Sequence, residues 1–290
     1  MPFSSYSDLL AEISAGKTYR MPFQRVIQTG ATSAQGRWHE CFTAGGTGGT
    51  GILTGTAGVG AALSNATAGS IPEPNNATSP DTRHLTTFMA VTASATAVPA
   101  LVTLTDFLYI YPSCVVSTGA GTVLNNGAAR PTRHGNGEGV QVSAFVVGAL
   151  GAASPTLTVS YTNSAGVAGR TGTLVAPAAS IPVGTALVGG VAGATAGPYM
   201  LLQAGDSGVR QIDSYTTASG TTGTITFVMH RPISTVPLVA QNIAGERDLV
   251  NQFVSLPRLQ DAACLVTMMQ VGGALLVSNS FYGELQAAWG

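Results

Sequence analysis

Between Val140 and Val175 the chain reads VQVSAFVVGALGAASPTLTVSYTNSAGVAGRTGTLV, a two-residue alternation broken by turn formers. Val140, Val142, Ala144 and Val146 fall on one face of an extended chain, and Leu157, Val159 and Tyr161 oppose Thr158 and Ser160. Gly148–Pro155 and Asn163–Gly169 hold the residues that turn a chain back on itself. This is antiparallel β grammar, and it carries no reactive group. The expected fold is all-β: an antiparallel β-sandwich or jelly-roll-like body with a short N-terminal helix and an extended arm.

The alternation recurs in LTTFMAV after His84, in Arg210–Tyr215, in Cys264–Gln270, and in Thr222–His230, where Ile225, Phe227 and Met229 share a face. Along Leu101–Tyr111, the side chains of Leu101, Thr103, Thr105, Phe107, Tyr109 and Tyr111 are expected on one face, with Pro112 closing the strand. Tyr199–Gln203 reads as a short apolar strand, and Leu275–Trp289 as a strand through Phe281 followed by a tail. Ser117–Glu138 reads as a long polar connection carrying Arg130, Arg133 and His134, of the kind that meets a partner.

Ahead of these strands, Ser7–Ala15 has Leu9, Leu10 and Ile13 at helical spacing, early Asp8 and Glu12, and Gly16 to end it. So short a helix is marginal alone, which makes its apolar stripe a docking element. Lys17–Phe42, with Arg20 and Arg25 among Tyr19, Phe23, Ile27 and Trp38, reads as an extended arm that could reach a neighbouring subunit. Ala44–Asn76 is rich in Gly, Ala and Thr, and is either a flexible linker or a packed small-residue layer; sequence does not decide between them. The expected division is 1–83 (helix, arm and Gly/Thr-rich segment) and 84–290 (β body). Two related β units within the body are suggested by an echo: Pro131 and Arg133 precede VQVSAFVVGAL as Pro257 and Arg258 precede LVTMMQVGGAL.

Charged residues make up 9% of the chain, where about 25% is usual. So sparse a charge leaves a lone monomer poorly protected from association and points to surface covered by partners. A net charge of −1 offers no basic field for nucleic acid and no polybasic patch for a membrane. Cys41, Cys114 and Cys264 are far apart and odd in number, so neither a disulfide framework nor a zinc knuckle is expected. No secretory signal and no membrane span are read.

Three motifs invite chemistry, and each has a plainer reading: a Gly-rich loop, a chance similarity and a turn, in that order. Gly46, Gly48 and Gly51 satisfy GxGxxG, but inside a Gly/Thr repeat with no helix after it. Gly16-Lys17-Thr18 ends like a phosphate loop but follows a helix and lacks the first glycine. Gly205-Asp206-Ser207-Gly208 looks like the nucleophile signature of chymotrypsin-like proteases, yet Val209 replaces the expected second glycine and no histidine has the family's context. A triad of His84, Asp106 and Ser207 is the geometry such a β-fold hydrolase would need. No metal site or cofactor is expected, because the histidines and acids show no ligand spacing.

The runs LTDFLYIYPSCVV, RPTRHGNGEGVQ and TLTVSYTNSAGVAGRTG, within Leu104–Gly172, resemble segments of virion structural proteins of tailed bacteriophages. The resemblance implies a β-sandwich or jelly-roll-like homo-oligomer on the virion, assembled in the host cytoplasm, with no catalytic residue to carry over. The expected role is a non-enzymatic capsid auxiliary or decoration protein that contacts itself and the major capsid protein. The alternative is a tail- or fibre-associated attachment protein. Candidate partner contacts are Leu9, Leu10, Ile13, Arg20, Arg25, Arg130 and Arg133.

Overall fold

The computed structural model describes residues 3, 5–27, 35–73, 81–117, 119–127, 130–151, 154–178, 181–190, 197–218, 222–252, 256–273 and 280–290. Helix α1 (Tyr6–Ser14) is capped by Ser5, whose hydroxyl accepts from the Asp8 N–H at 3.2 Å. Strands follow as β1 (Thr18–Val26), β2 (Trp38–Glu40), β3 (Ala61–Ala62), β4 (Arg83–Thr92), β5 (Ala100–Val115), β6 (Gly119–Val123), β7 (Gln141–Gly148) and β8 (Thr156–Asn163). After these come β9 (Arg170–Val175), β10 (Val188–Gly189), β11 (Val209–Thr217), β12 (Thr224–Leu238) and β13 (Gly245–Asp248). One helical turn, α2 (Leu249–Gln252), precedes β14 (Arg258–Leu259), β15 (Leu265–Gln270) and β16 (Ser280–Trp289). The fold is all-β with antiparallel sheets, as the alternation predicts.

The strands form three sheets. The first has the order β1-β16-β4-β13, with β14 also on β4; the middle one is β2-β15-β5-β12-β7, with β3 continuing the β5 edge; the third is β10-β9-β8-β11-β6. The outer sheets are topologically alike, since replacing β1, β16, β4 and β13 by β9, β8, β11 and β6 converts one order into the other. The middle sheet is symmetric in the same sense: β15 flanks β5 as β7 flanks β12. Gln141 pairs with His230 as Leu265 pairs with Asp106, and the same sequence interval separates the members of each equivalent pair. The echoed segments after Pro131 and Pro257 lead into these two flanking strands.

The long strands β5 and β12 hold the molecule together. Val102, Leu104, Val236 and Leu238 pack with Phe23, Phe88, Phe281 and Leu285 of the first sheet. Tyr109, Tyr111, Ile225, Phe227 and Met229 pack with Leu157, Val159, Tyr161 and Ile212 of the third. Phe107 and Ile110 instead join Trp38, Phe42 and Val228 on the opposite face. The single face expected for Leu101–Tyr111 is therefore wrong beyond Phe107. In the ladder His230 pairs with Phe107 and Met229 with Tyr109, so Leu108 is an extra residue, and this bulge reverses the alternation.

Other expectations shift for equally local reasons. Gly148–Pro155 passes the chain from the middle sheet to the third, because β7 and β8 lie in different sheets. Ser117–Glu138 contains the edge strand β6. Tyr199–Gln203 makes one bridge, Leu201 to Thr173, and no strand. The presumed tail after Phe281 is strand through Trp289, because β1 and β4 pair it on both sides; residues 275–279 lie outside the described ones.

A division at residue 83 has no counterpart in the sheets, and the arm does not extend outward. β1 pairs with β16 over nine residues and shares its sheet with β4. Its alternate side chains Met21 and Phe23, followed by Ile27, are buried in the core. The Gly/Thr-rich segment, described through residue 73, is packed cover over the middle sheet. Phe42, Leu53 and Leu63 sit in that core, and Arg25 donates to the carbonyls of Gly49 and Gly69. Gly48 has φ +89°, and a Cβ there would lie 1.8 Å from the Ser70 carbonyl oxygen.

Burying Met21, Phe23 and Ile27 is worth roughly 1.5–3 kcal/mol each, against a typical stability of about 5–15 kcal/mol. Removing residues 1–42 is therefore expected to abolish the cooperative unfolding transition; a truncated chain that keeps its β circular dichroism and melts sharply would contradict the shared sheet. Gly48→Ala should lower stability by about 2 kcal/mol or more in urea titration, since both the left-handed conformation and the closed space oppose a side chain.

Candidate functional site

The two sandwiches meet at Asp106, on β5 just before the Leu108 bulge. Burial favours the neutral acid and pushes this carboxyl up to about 6, against the pull of its partners. Arg133 grips it with two prongs, Nε to Oδ2 at 2.9 Å and Nη2 to Oδ1 at 3.1 Å, and the Cys264 N–H adds a third bond at 2.8 Å. The same guanidinium donates to the carbonyls of Leu63 and Phe107, at 2.7 and 2.9 Å, and so pins the small-residue cover to the middle sheet. A planar fork with five donors is what such convergence requires.

His134 stands next to this pair, with φ +54° and its Nε2 4.0 Å from Asp106 Oδ2. Arg231 Nη1 lies 3.2 Å from His134 Nδ1 and donates to the Glu138 carbonyl at 3.0 Å. Because a guanidinium can only donate, Nδ1 must accept, which places the proton of the neutral ring on Nε2. Burial, then Arg231, Arg133 and Arg258, holds the ring down at about 4. Asp106, His134 and Arg231 line a cavity of about 220 Å³ with Pro232, Ile233, Pro257, Arg258, Gln260 and Ala263.

The histidine, aspartate and serine of the hypothetical triad are not brought together. Ser207 donates to Glu138 at 3.0 Å and meets the Ser164 hydroxyl at 2.9 Å. His84 contacts Thr82 and the Leu256 carbonyl on the first sheet, while Asp106 is held by Arg133. Asp206 belongs to a separate knot with Arg170 Nε at 3.0 Å, Tyr161 at 2.6 Å and Asn163 at 2.7 Å, which holds its carboxyl at about 2. A serine–histidine contact does occur at Ser143 and His230, 2.8 Å apart in the closed interior. Ser143 gives its one proton to the Pro198 carbonyl at 2.7 Å, so it accepts from His230 Nε2 while Thr105 donates to Nδ1 at 2.8 Å. That imidazole is fully bonded as a neutral structural group.

Of the candidate contacts, Leu9, Arg25 and Arg133 are turned inward, because each finds an interior partner that outweighs exposure. Arg130 donates to the Arg210 carbonyl at 2.7 Å. Leu10, Ile13 and Arg20 remain exposed. Arg231, Arg258 and Gln260 are the cavity residues that sequence reasoning missed; the echo of Arg133 by Arg258 was the one available signal. Among the described residues no group of three histidines, cysteines or acids converges as a metal site, and no helix is long and apolar enough to cross a membrane. No protein-family model, curated protein or solved structure matches the chain.

Asp106→Asn would leave Arg133 buried beside a neutral amide, a change expected to cost about 3–5 kcal/mol in denaturant unfolding; a loss below about 1 kcal/mol would show that the pair does not brace the junction. Acid should also weaken the fold through its histidines. Burial lowers all four, to about 4 for His39 and His134, to about 3 for His230, and downward for His84. A folded-state pKa below the unfolded one contributes stability that is complete above about 6.5 and lost as pH falls toward 4. Asp106 and Glu73, raised by burial to about 6 and about 7, act in the opposite sense over the same range, so the histidine contribution is read by difference. From pH 7 to 4 the melting temperature of His134→Gln should fall less than that of the parent, and identical profiles would contradict neutral burial of His134.

Proposed function

We propose that this chain is a non-enzymatic virion structural protein of a bacteriophage, a capsid auxiliary or decoration subunit assembled in the host cytoplasm. It joins copies of itself and the major capsid protein through surface burial. The observation that carries this reading is helix α1. The helix lies against β16 with Leu9 buried, while Tyr6, Leu10 and Ile13 stay 59%, 45% and 38% exposed. Large apolar side chains held in solvent on a docked helix are suited to a partner surface, where they gain the burial that the subunit alone does not give them.

Charge supports the same reading. Arg25, Arg83, Glu40, Glu73 and Asp106 are drawn into the interior, so the exterior is poorer in charge than the 9% composition implies. Ser143 and His230 are committed to structural bonds and the three cysteines to closed core. A tail- or fibre-borne attachment role is the second reading, favoured by the arginine-lined cavity beside Asp106.

The double substitution Leu10→Asp with Ile13→Asp is expected to leave the melting temperature within about 2 °C of the parent and to abolish self-association or particle binding in sedimentation. Unchanged assembly would remove α1 from the interface. Quantitative mass spectrometry of purified particles separates the two locations: copies in the hundreds place the protein on the shell, and a handful place it in the tail.

A further inference from the structure

The cavity beside Asp106 has an unbalanced charge. Asp106 is matched by the bidentate Arg133. Arg231 hydrogen-bonds only to neutral groups, the His134 ring and the Glu138 carbonyl, and feels Asp106 through space without a direct bond to it. The Arg258 guanidinium forms no hydrogen bond or ion pair among the described residues, although its backbone pairs with His84 in the ladder, and Asp261, the acid nearest to it in sequence, is turned to Arg83 at 3.4 Å. Two guanidiniums thus line one partly open cavity in which no acid hydrogen-bonds to either.

We infer that this cavity binds a small molecule carrying a carboxylate or phosphate on a compact, partly apolar body. Arg258 and the unused N–H groups of Arg231 supply charge-assisted donors, and Gln260 adds a neutral amide. Pro232, Ile233, Pro257 and Ala263 form an apolar wall against which the body of the ligand lies. Asp106 faces the same space with lone pairs to spare, so a hydroxyl beside the oxyanion would find an acceptor. A volume of about 220 Å³ limits the occupant to a single ring or less, since drug-sized ligands take about 300 Å³ upward.

Arg231 and Pro232 come from β12, Asp106 from β5 and Arg258 from β14, so three strands of one paired framework carry the cavity's polar groups. Ile233 is the unpaired residue of a bulge in β12, where Pro232 pairs with Thr105 and Ser234 with Leu104. The bulge re-aims this side chain toward the cavity. This inference stands apart from the virion reading, because it concerns a ligand and not an assembly surface.

The test titrates the full chain with inorganic phosphate, glucose 6-phosphate and glucuronate, using sodium chloride at matched ionic strength as the control. Calorimetry should show saturable binding of at least one probe with a Kd of about 1 mM or tighter, and the probe that binds identifies phosphate or carboxylate as the recognised group. Arg258→Ala, an exposed change, should weaken binding about tenfold or more without moving the melting temperature. In the parent, the same titration should shift the imidazole resonances of His134 and leave those of His230 in place. No saturable binding of any probe up to about 50 mM, equal affinity in Arg258→Ala, or shifts that sodium chloride reproduces would each overturn the assignment.

Discussion

Strands β5 and β12 pair along almost their whole length, and neither half of the molecule has a core without them. Each strand serves the first sheet with one end and the third sheet with the other, so two sandwiches share one middle layer. A regular pair of this length would carry its twist past both outer sheets and present the wrong side chains to one of them. The extra residues Leu108 and Ile233 correct this, since each reverses the alternation and returns apolar side chains to the face the outer sheets cover. The ion pair of Arg133 with Asp106 lies just beside the first of these bulges.

Much of the architecture is legible wherever period two holds without interruption. Val140–Val146, Leu157–Tyr161 and Ile225–Met229 all present the faces that their alternation assigns, because each lies in a ladder buried against a facing sheet. Legibility ends where a bulge intervenes, since nothing in DFLYIY marks Leu108 as the supernumerary residue. The second half of β12 is hidden by Pro232 and Pro237, yet it lies where the strand has lost β7 as its second partner, and a missing N–H is tolerable on such an edge. β1 is hidden in the same way, by Pro22 in an edge strand.

The site was less legible than the fold. Arg133 and Asp106 are 27 residues apart in sequence, and nothing local to either predicts that a loop arginine enters the core. Arg25 illustrates the same limit: among exposed-looking neighbours it reads as a surface cation, yet its guanidinium is closed in and bonded to the Gly49 and Gly69 carbonyls. In a chain with few acids, arginine finds partners in backbone carbonyls. The glycines of the cover are needed because those carbonyls must approach closely, and the spacing that imitates a dinucleotide fingerprint follows from this packing.

The position of β1 against β16 bears on the order in which the chain acquires its structure. The third sheet draws all its strands from residues 119–217, so it can close while the ribosome is still adding the remainder. The first sheet joins residues 18–26 to residues 280–289, so its earliest strand waits until nearly the last residues of β16 emerge. Over that time β1 is an unpaired edge with Met21 and Phe23 uncovered, the kind of surface that chaperones hold and that aggregates recruit. The two halves share a strand order but not a folding clock, and synthesis from the N-terminus makes the second sandwich the template on which the first is finished.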